Sequence, residues 1–553
     1  MTTNALFSLA QAAIFCGTTL ILWKVLRQWF VKSSLENIPG PPSTSFVYGN
    51  LKQLLDLNSW KFHEHLVESY PGIAKLRGPF GSDILYVFEP RALHHILVKD
   101  QYIYEEGRFF IKSNYLVLGK NLLSTLGEHH RKQRKMLNPV FSPKHMRHMI
   151  PMFYEVAQRL GRAIEGQVQT STAELDISAW MGRTALEIVG KAGLGYSFDP
   201  LVSEKPDEYA SALKGFNSAN GKAAIARRIL PYLPIVRFAG IGHKILEMVP
   251  HEGVRALVKV SDILWKRSTD IYTQKKEALK HGDAAVAQQI GEGKDIMSIL
   301  LKANVEASGE DRLDEEELIG QMSSLILAAM DTTSNALGII LTRLAEHPDI
   351  QQKLREEIIE AGADKGLDFD ALMNLPLLEA VCRETLRVYV RLYTLVICGA
   401  GTRKDVVLPL AEPIRGVDGS MIHDIFVPKE TTVVAGLLNC NRWKALWGDD
   451  AFEWKPERWL SPLPAAVAEA KVPGVYSNLM TFLGGGRACI GFKFSQLEMK
   501  VVLSVLLSKF TFEKSDTPIF WNAAGVRYPS AGKQGGPASL PMKVSLYKGD
   551  ACT

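Results

Sequence analysis

Cys489 stands in the stretch Phe482-Leu483-Gly484-Gly485-Gly486-Arg487-Ala488-Cys489-Ile490-Gly491, followed by an apolar run, Phe494 to Phe510, of helical length. Glycines give the tight turns and close backbone approach that a bulky ligand needs. A cysteine near a helix N-terminus is favoured as the thiolate by the macrodipole and unpaired N–H groups, so it is a candidate nucleophile or metal ligand; the competing reading is a buried structural thiol. Three more groupings carry chemical groups at meaningful spacing. Asp331-Thr332-Thr333-Ser334-Asn335 interrupts two apolar runs, Leu325 to Met330 and Ala336 to Leu341, and its side chains need hydrogen bonds, water or a function. Bonding of the hydroxyls back to the preceding turn is the simplest outcome. His130 and Arg134 share one helical face at i,i+4, and Glu384 and Arg387 share another at i,i+3, where an exposed pair contributes only about 0.2–0.5 kcal/mol.

The elements that hold these groups are mostly helical. A long central helix begins after the acidic run Asp314-Glu315-Glu316-Glu317 and extends from Leu318 to about Leu344, ahead of His347-Pro348. Gly127 opens a basic helix, and Phe153 to Lys302 reads mostly as helix with an exposed loop at Lys275 to Gly293. Strand character at Ile73 to Phe88 precedes a helix at Pro90 to Val98; Val406-Val407-Leu408 and Ile425-Phe426-Val427 flank a turn at Gly416 to Gly419. The expected fold class is mainly α with minor β sheets.

The order of residues narrows the chemistry of Cys489. Arg487 precedes it, whereas thiol enzymes of the phosphatase type put the anion-binding arginine after the cysteine, and no zinc partner stands two residues away. The pattern filled by Phe482, Gly485, Arg487, Cys489 and Gly491 resembles the haem-binding loop of the cytochrome P450 family, fungal microsomal members in particular. The resemblance implies that the Cys489 thiolate is the axial ligand of a haem b iron and that Arg487 meets a haem propionate. Such a thiolate pushes electron density toward the iron. Ala328-Ala329-Met330-Asp331-Thr332-Thr333 resembles the family's oxygen-activation motif, with Ala329 replacing the usual glycine, which implies that Asp331 and Thr332 deliver protons. Arg134 and His130 fall where the family carries an arginine and a tryptophan that bind a propionate; an imidazole N–H can also donate. Glu384, Arg387 and Arg458, the last from Trp454-Lys455-Pro456-Glu457-Arg458-Trp459, correspond to the family's structural network, while Val390-Arg391 replaces a common Pro-Pro.

Bulk properties agree with an intracellular, membrane-tethered protein. The 553 residues are 46% hydrophobic, the net charge of +5 (64 basic against 59 acidic) makes no case for nucleic acid, and six scattered cysteines make no disulfide framework. Ala5 to Trp23 carries no charge and, as a helix, is about 28 Å long, enough to span a bilayer. Lys24, Arg27 and Lys32 follow it, which places the bulk of the chain on the cytosolic side. The expected organisation is a lumenal stub (1–4), a transmembrane anchor (5–23), a basic and Pro-rich hinge (24–42) and one haem-thiolate domain (43–553), held at the endoplasmic reticulum. The proline-broken stretch Arg227 to Val236 is either core or an interfacial segment.

No P-loop or dinucleotide fingerprint follows a strand, so electrons come from a partner, which the resemblance implies is NADPH-cytochrome P450 reductase. Arg131, Lys132 and Lys135 are candidates for part of its docking face. The expected function is insertion of one oxygen atom from dioxygen into a bulky hydrophobic substrate, terpenoid or steroid-like, in secondary metabolism. The alternatives are a haem-thiolate isomerase or dehydratase working without a reductase, and a non-catalytic binder of hydrophobic ligands. The pocket is expected from Phe109 to Leu118, Ser324 to Ala328, Leu392 to Val396 and Asn522 to Val526, all by order along the chain.

Overall fold

The computed structural model describes residues 33–169, 171–202, 246–282, 290–389, 402–524 and 526–549, with isolated positions elsewhere. The anchor 5–23, the stretch 227–236, Val390-Arg391 and the segment 392–396 lie essentially outside the described residues. In chain order the elements that matter are β1 (Ile73–Arg77), β2 (Asp83–Val87), α1 (Arg108–Leu118), α2 (Gly127–Leu137), α3 (Pro143–Glu165), β3 (Ala173–Asp176), α4 (Ile177–Ile188), α5 (Glu252–Lys280), α6 (Ile296–Glu306), α7 (Glu315–Glu346), α8 (Pro348–Glu360) and α9 (Pro376–Val388). They continue with β4 (Val406–Arg415), β5 (Met421–Val427), β6 (Thr432–Ala435), α10 (Phe492–Lys509), β7 (Phe510–Lys514), β8 (Ile519–Ala524), β9 (Val526–Ala531) and β10 (Pro541–Leu546). The strands form four small sheets: β1-β2-β6, β3-β10-β7, β4-β5 and β8-β9. In the first, β1 pairs antiparallel with β2, and β2 runs parallel to β6.

α7 organises the interior. Its start is fixed by a capping box in which Asp314 accepts from the Glu317 N–H and Glu317 answers to the Asp314 N–H. The first half of α7, from Leu318 to Met330, packs into one apolar cluster with α5 and α6; the second half, from Ala336 to Leu344, belongs to the main core shared with α3, α8, α9 and α10. The polar stretch Asp331 to Asn335 falls where one core gives way to the other. Among the described residues, α7 alone is long and apolar enough to cross a membrane, and 67% of its most apolar window is buried inside the protein. Its apolarity is that of a core helix.

Two expectations need correction. The segment after Lys275 is not loop from its first residue: α5 runs to Lys280 because Lys275 is buried and bonded to Asp295 (2.9 Å) and the Ser298 hydroxyl (2.8 Å). A polar tract read as exposed thus begins with the lysine of an internal ion pair whose acid, Asp295, lies just beyond the tract. Asn522 does not line a pocket, because its amide is engaged inside the β8-β9 hairpin by Ser530 (2.8 Å) and the Gly535 N–H (2.8 Å).

His63, on the helix Trp60–Ser69, is buried against the Tyr86 hydroxyl (3.0 Å), and burial, reinforced by Arg442, pushes its pKa down to about 3. The unfolded chain therefore takes up a proton near pH 6.5 that the native state refuses, and stability present above that pH is lost as pH falls toward 3. His63→Gln is expected to flatten the acid side of the stability profile within this window, measured by denaturant unfolding of variant and parent across it; parallel profiles would exclude His63 as a source of the acid sensitivity.

Candidate functional site

The loop around Cys489 is built from the backbone up. Gly485 has φ +68°, and a Cβ there would lie 1.7 Å from the Leu97 carbonyl oxygen, so only glycine fits. Gly491 is different: a Cβ there would meet nothing nearer than Phe141 at 3.8 Å, so no protein atom forbids a side chain. Phe482 packs its ring against Tyr476 and Phe492, centroids 5.8 and 6.0 Å apart. Its carbonyl accepts the Cys489 N–H at 2.9 Å. Cys489 itself is exposed, although Ala488 before it is buried. Ile490 packs against both apolar clusters, which puts the cysteine at the junction of the two cores.

On α7, the side of the junction contributed by the central helix, Ala328 and Thr332 are exposed while most of their neighbours are buried. They are four apart and share a face. The Thr332 hydroxyl donates to the Ala328 carbonyl at 2.8 Å, the back-bond that the sequence suggested; its oxygen keeps its acceptor capacity. Asn335 donates to the Asp331 carbonyl (2.7 Å) and carboxylate (3.3 Å), holding that acid one residue before the exposed threonine.

α2 supplies the third wall. His130 and Arg134 line one cavity of about 540 Å³ together with Arg487, Glu106 and Tyr104. Arg134 donates to the Ala488 carbonyl at 2.5 Å. Burial lowers its pKa, partly offset by Cys489. Burial and the two guanidiniums push the His130 pKa down to about 3, so its imidazole is neutral and presents one N–H. α2 is tied in turn to the start of α7 by His129 and Gln133, both bonded to Glu317. Of the three outward cations, Lys132 is bonded to the Arg312 carbonyl, Lys135 to Asp311, and Arg131 lies 3.7 Å from Glu128.

Glu384 and Arg387 are fully buried and form a bidentate pair, both bonds 2.8 Å. The modest value of an exposed helical pair therefore does not apply. Glu384 also accepts from the Lys455 N–H (3.0 Å) and Trp459 Nε1 (2.9 Å), and Arg387 donates to the carbonyls of Asn441, Ala451 and Glu453. Arg458 reaches Glu384 only at 3.5 Å and binds Asp450 at 2.9 Å. The triad read from sequence is thus a strong pair with Arg458 at its margin. Asp450, Asn441, Trp459 and Glu106 escaped sequence reading; Trp459 stood in a recognised segment, but nothing local marked its partner.

A family model described as cytochrome P450 matches residues 39–523. The chain is 51% identical over 544 residues to cytochrome P450 monooxygenase 91 of Postia placenta, covering 98% of this chain and 100% of that protein. It is 46% identical over 543 residues to a ganoderic acid synthetase of Ganoderma lucidum, with 97% and 98% covered. A cytochrome P450 monooxygenase of Hericium erinaceus is 37% identical over 554 residues, with 98% of each chain covered.

Removing Glu384 leaves Arg387 as a lone buried cation. Glu384→Ala is expected to cost about 3–5 kcal/mol and Arg458→Ala clearly less, since the main partner of Arg458 is half-exposed Asp450. Equal losses of thermal stability in the two variants would show that the three residues act as one unit.

Proposed function

This chain belongs to the cytochrome P450 family and is a monooxygenase of it, and from that premise we propose how its own residues serve that reaction. The family's haem, of the b type, would be held through its iron by the Cys489 thiolate and through its propionates by Arg487, Arg134 and His130. The donor set fits such a group. One exposed sulfur lies at the junction of two cores, a neutral N–H donor and two guanidiniums line a cavity beside it, and glycine-rich backbone turns closely around it. The exposure of Cys489 beside buried Ala488, together with that of Ala328 and Thr332 on a helix most of whose residues are buried, is the observation that carries this reading.

When bound, the haem supplies activation of dioxygen and insertion of one oxygen atom. The protein's part is to bind, orient and control protons. Phe482, Gly485 and Gly491 shape the thiolate loop, and Glu384, Arg387 and Arg458 brace it. Asp331 and Thr332 would deliver protons to the reacting oxygen from α7, with Asn335 holding Asp331 in place.

The substrate is bulky and hydrophobic, terpenoid or steroid-like, within fungal secondary metabolism. Support comes from the partly exposed apolar residues of α1, such as Phe109, Phe110 and Ile111, and from Leu325 and Leu327 beside Ala328. A relative named a ganoderic acid synthetase makes the precursors of ganoderic acid the first compounds to test. Electrons come from NADPH-cytochrome P450 reductase. Residues 5–23 anchor the chain in the endoplasmic reticulum membrane as a single pass, residues 1–4 lie in the lumen and 24–42 form the hinge. The catalytic domain, 43–553, faces the cytosol.

The reduced, CO-treated protein is expected to give a thiolate-type Soret band that Cys489→Ala abolishes; a parent protein without the band would refute the assignment. Thr332→Ala is expected to uncouple turnover, with NADPH consumed and peroxide released at the expense of product. Unchanged coupling would remove Thr332 from proton delivery. Mass spectrometry of a reductase-expressing host fed the precursor panel identifies the product.

A further inference from the structure

Arg487 is bound from more sides than a ligand clamp requires. Its Nη1 and Nη2 donate to the carbonyls of Leu122 (3.2 Å) and Thr125 (2.7 Å), in the segment leading into α2. Its Nε lies 2.9 Å from the Glu106 carboxylate, which is buried, while the Arg487 side chain is 18% exposed. A guanidinium has five N–H groups in a rigid fork, so these three contacts leave two for a cofactor carboxylate. Glu106 stands just before Gly107, the N-cap of α1, and the neighbouring Glu105 turns to Arg403 (2.7 Å). Glu106 is thus the acid committed to Arg487.

The charge inventory around the cavity makes this more than a brace. With His130 neutral, the charged side chains lining it are the partly buried cations Arg134 and Arg487, the exposed Arg131, the buried anion Glu106 on Arg487, and Glu105, whose charge is met by Arg403. Without Glu106 two cations would meet the two carboxylates of a haem; with it the site carries one unit less of positive charge. An anion held there disfavours added negative charge nearby, and reduction of the iron adds one.

We propose that Glu106 is a positioning residue for the haem: it fixes the Arg487 fork in register with α2 and, by its charge, holds the reduction potential of the iron down. This rests on the reading of Arg487 as a propionate partner.

The test uses the full-length holoenzyme and two readouts that need no turnover, potentiometric titration of the haem and the rate of haem loss to apomyoglobin. Glu106→Gln keeps an acceptor for Nε but removes the charge, and a more positive potential is expected with haem loss close to that of the parent. Glu106→Asp keeps the charge on a shorter arm; its potential should match the parent while haem loss quickens, and Glu106→Ala should lose haem at least roughly tenfold faster. An unshifted potential in Glu106→Gln, or the same shift in Glu106→Asp, would overturn the proposal. Arg487→Gln separates this from failure of the underlying reading: if it leaves both haem loss and potential unchanged, Arg487 does not meet the cofactor, whereas an effect there with none in Glu106→Gln refutes the role of Glu106 alone.

Discussion

The Glu384–Arg387 ion pair is the constraint on which the site depends. A fully buried pair is tolerable only if both partners are saturated with hydrogen bonds, and here they are, by Lys455, Trp459, Asn441, Ala451 and Glu453. Saturation forces the chain from 441 to 459 to wrap around the end of α9. Asn441 then carries the restraint onward, accepting the Met480 N–H (2.7 Å) and donating to the Thr481 hydroxyl (2.9 Å), which itself donates to the Leu386 carbonyl (2.7 Å). Thr481 directly precedes Phe482. A charge pair with no chemistry of its own therefore fixes where the cysteine loop begins.

The far side of the loop is held by different means. α10 buries nearly its whole length against α3, α7 and α8, with Phe494 edge-on to Phe153 at 4.8 Å. Between these two supports Cys489 emerges where the cores meet, and the polar stretch Asp331 to Asn335 of α7 lies at the same boundary between them. The boundary explains why Asp331 to Asn335 is tolerated in a core helix: local bonds to the helix backbone satisfy Thr332, Ser334 and Asn335, and full apolar packing resumes at Ala336.

Much of this was legible in the sequence because the signals are local. The cysteine loop, the Asp331-Thr332 interruption, the α2 face and the Glu384–Arg387 spacing all lie within single turns or loops, and helix periodicity located α7 to within three residues at each end. Long-range partners were not legible. Glu106 meets Arg487 across hundreds of residues, Arg458 prefers Asp450 to its expected partner, and Lys275 reads as surface until Asp295 is seen beside it. Charges give a strong signal of polarity and none of burial, so a paired internal lysine resembles a loop residue.

The contact between Gly485 and the Leu97 carbonyl has a consequence for engineering. The Gln101 side chain also reaches the loop, accepting the Gly486 N–H at 2.8 Å, so the segment from His95 to Gln101 and the cysteine loop interlock, backbone against backbone at Leu97 and side chain to backbone at Gln101, despite lying almost 400 residues apart. They are one mechanical part encoded in two places. Chimeras between relatives that exchange the C-terminal third alone would pair a loop with a foreign seat, and crossover points that move both pieces together preserve the fit.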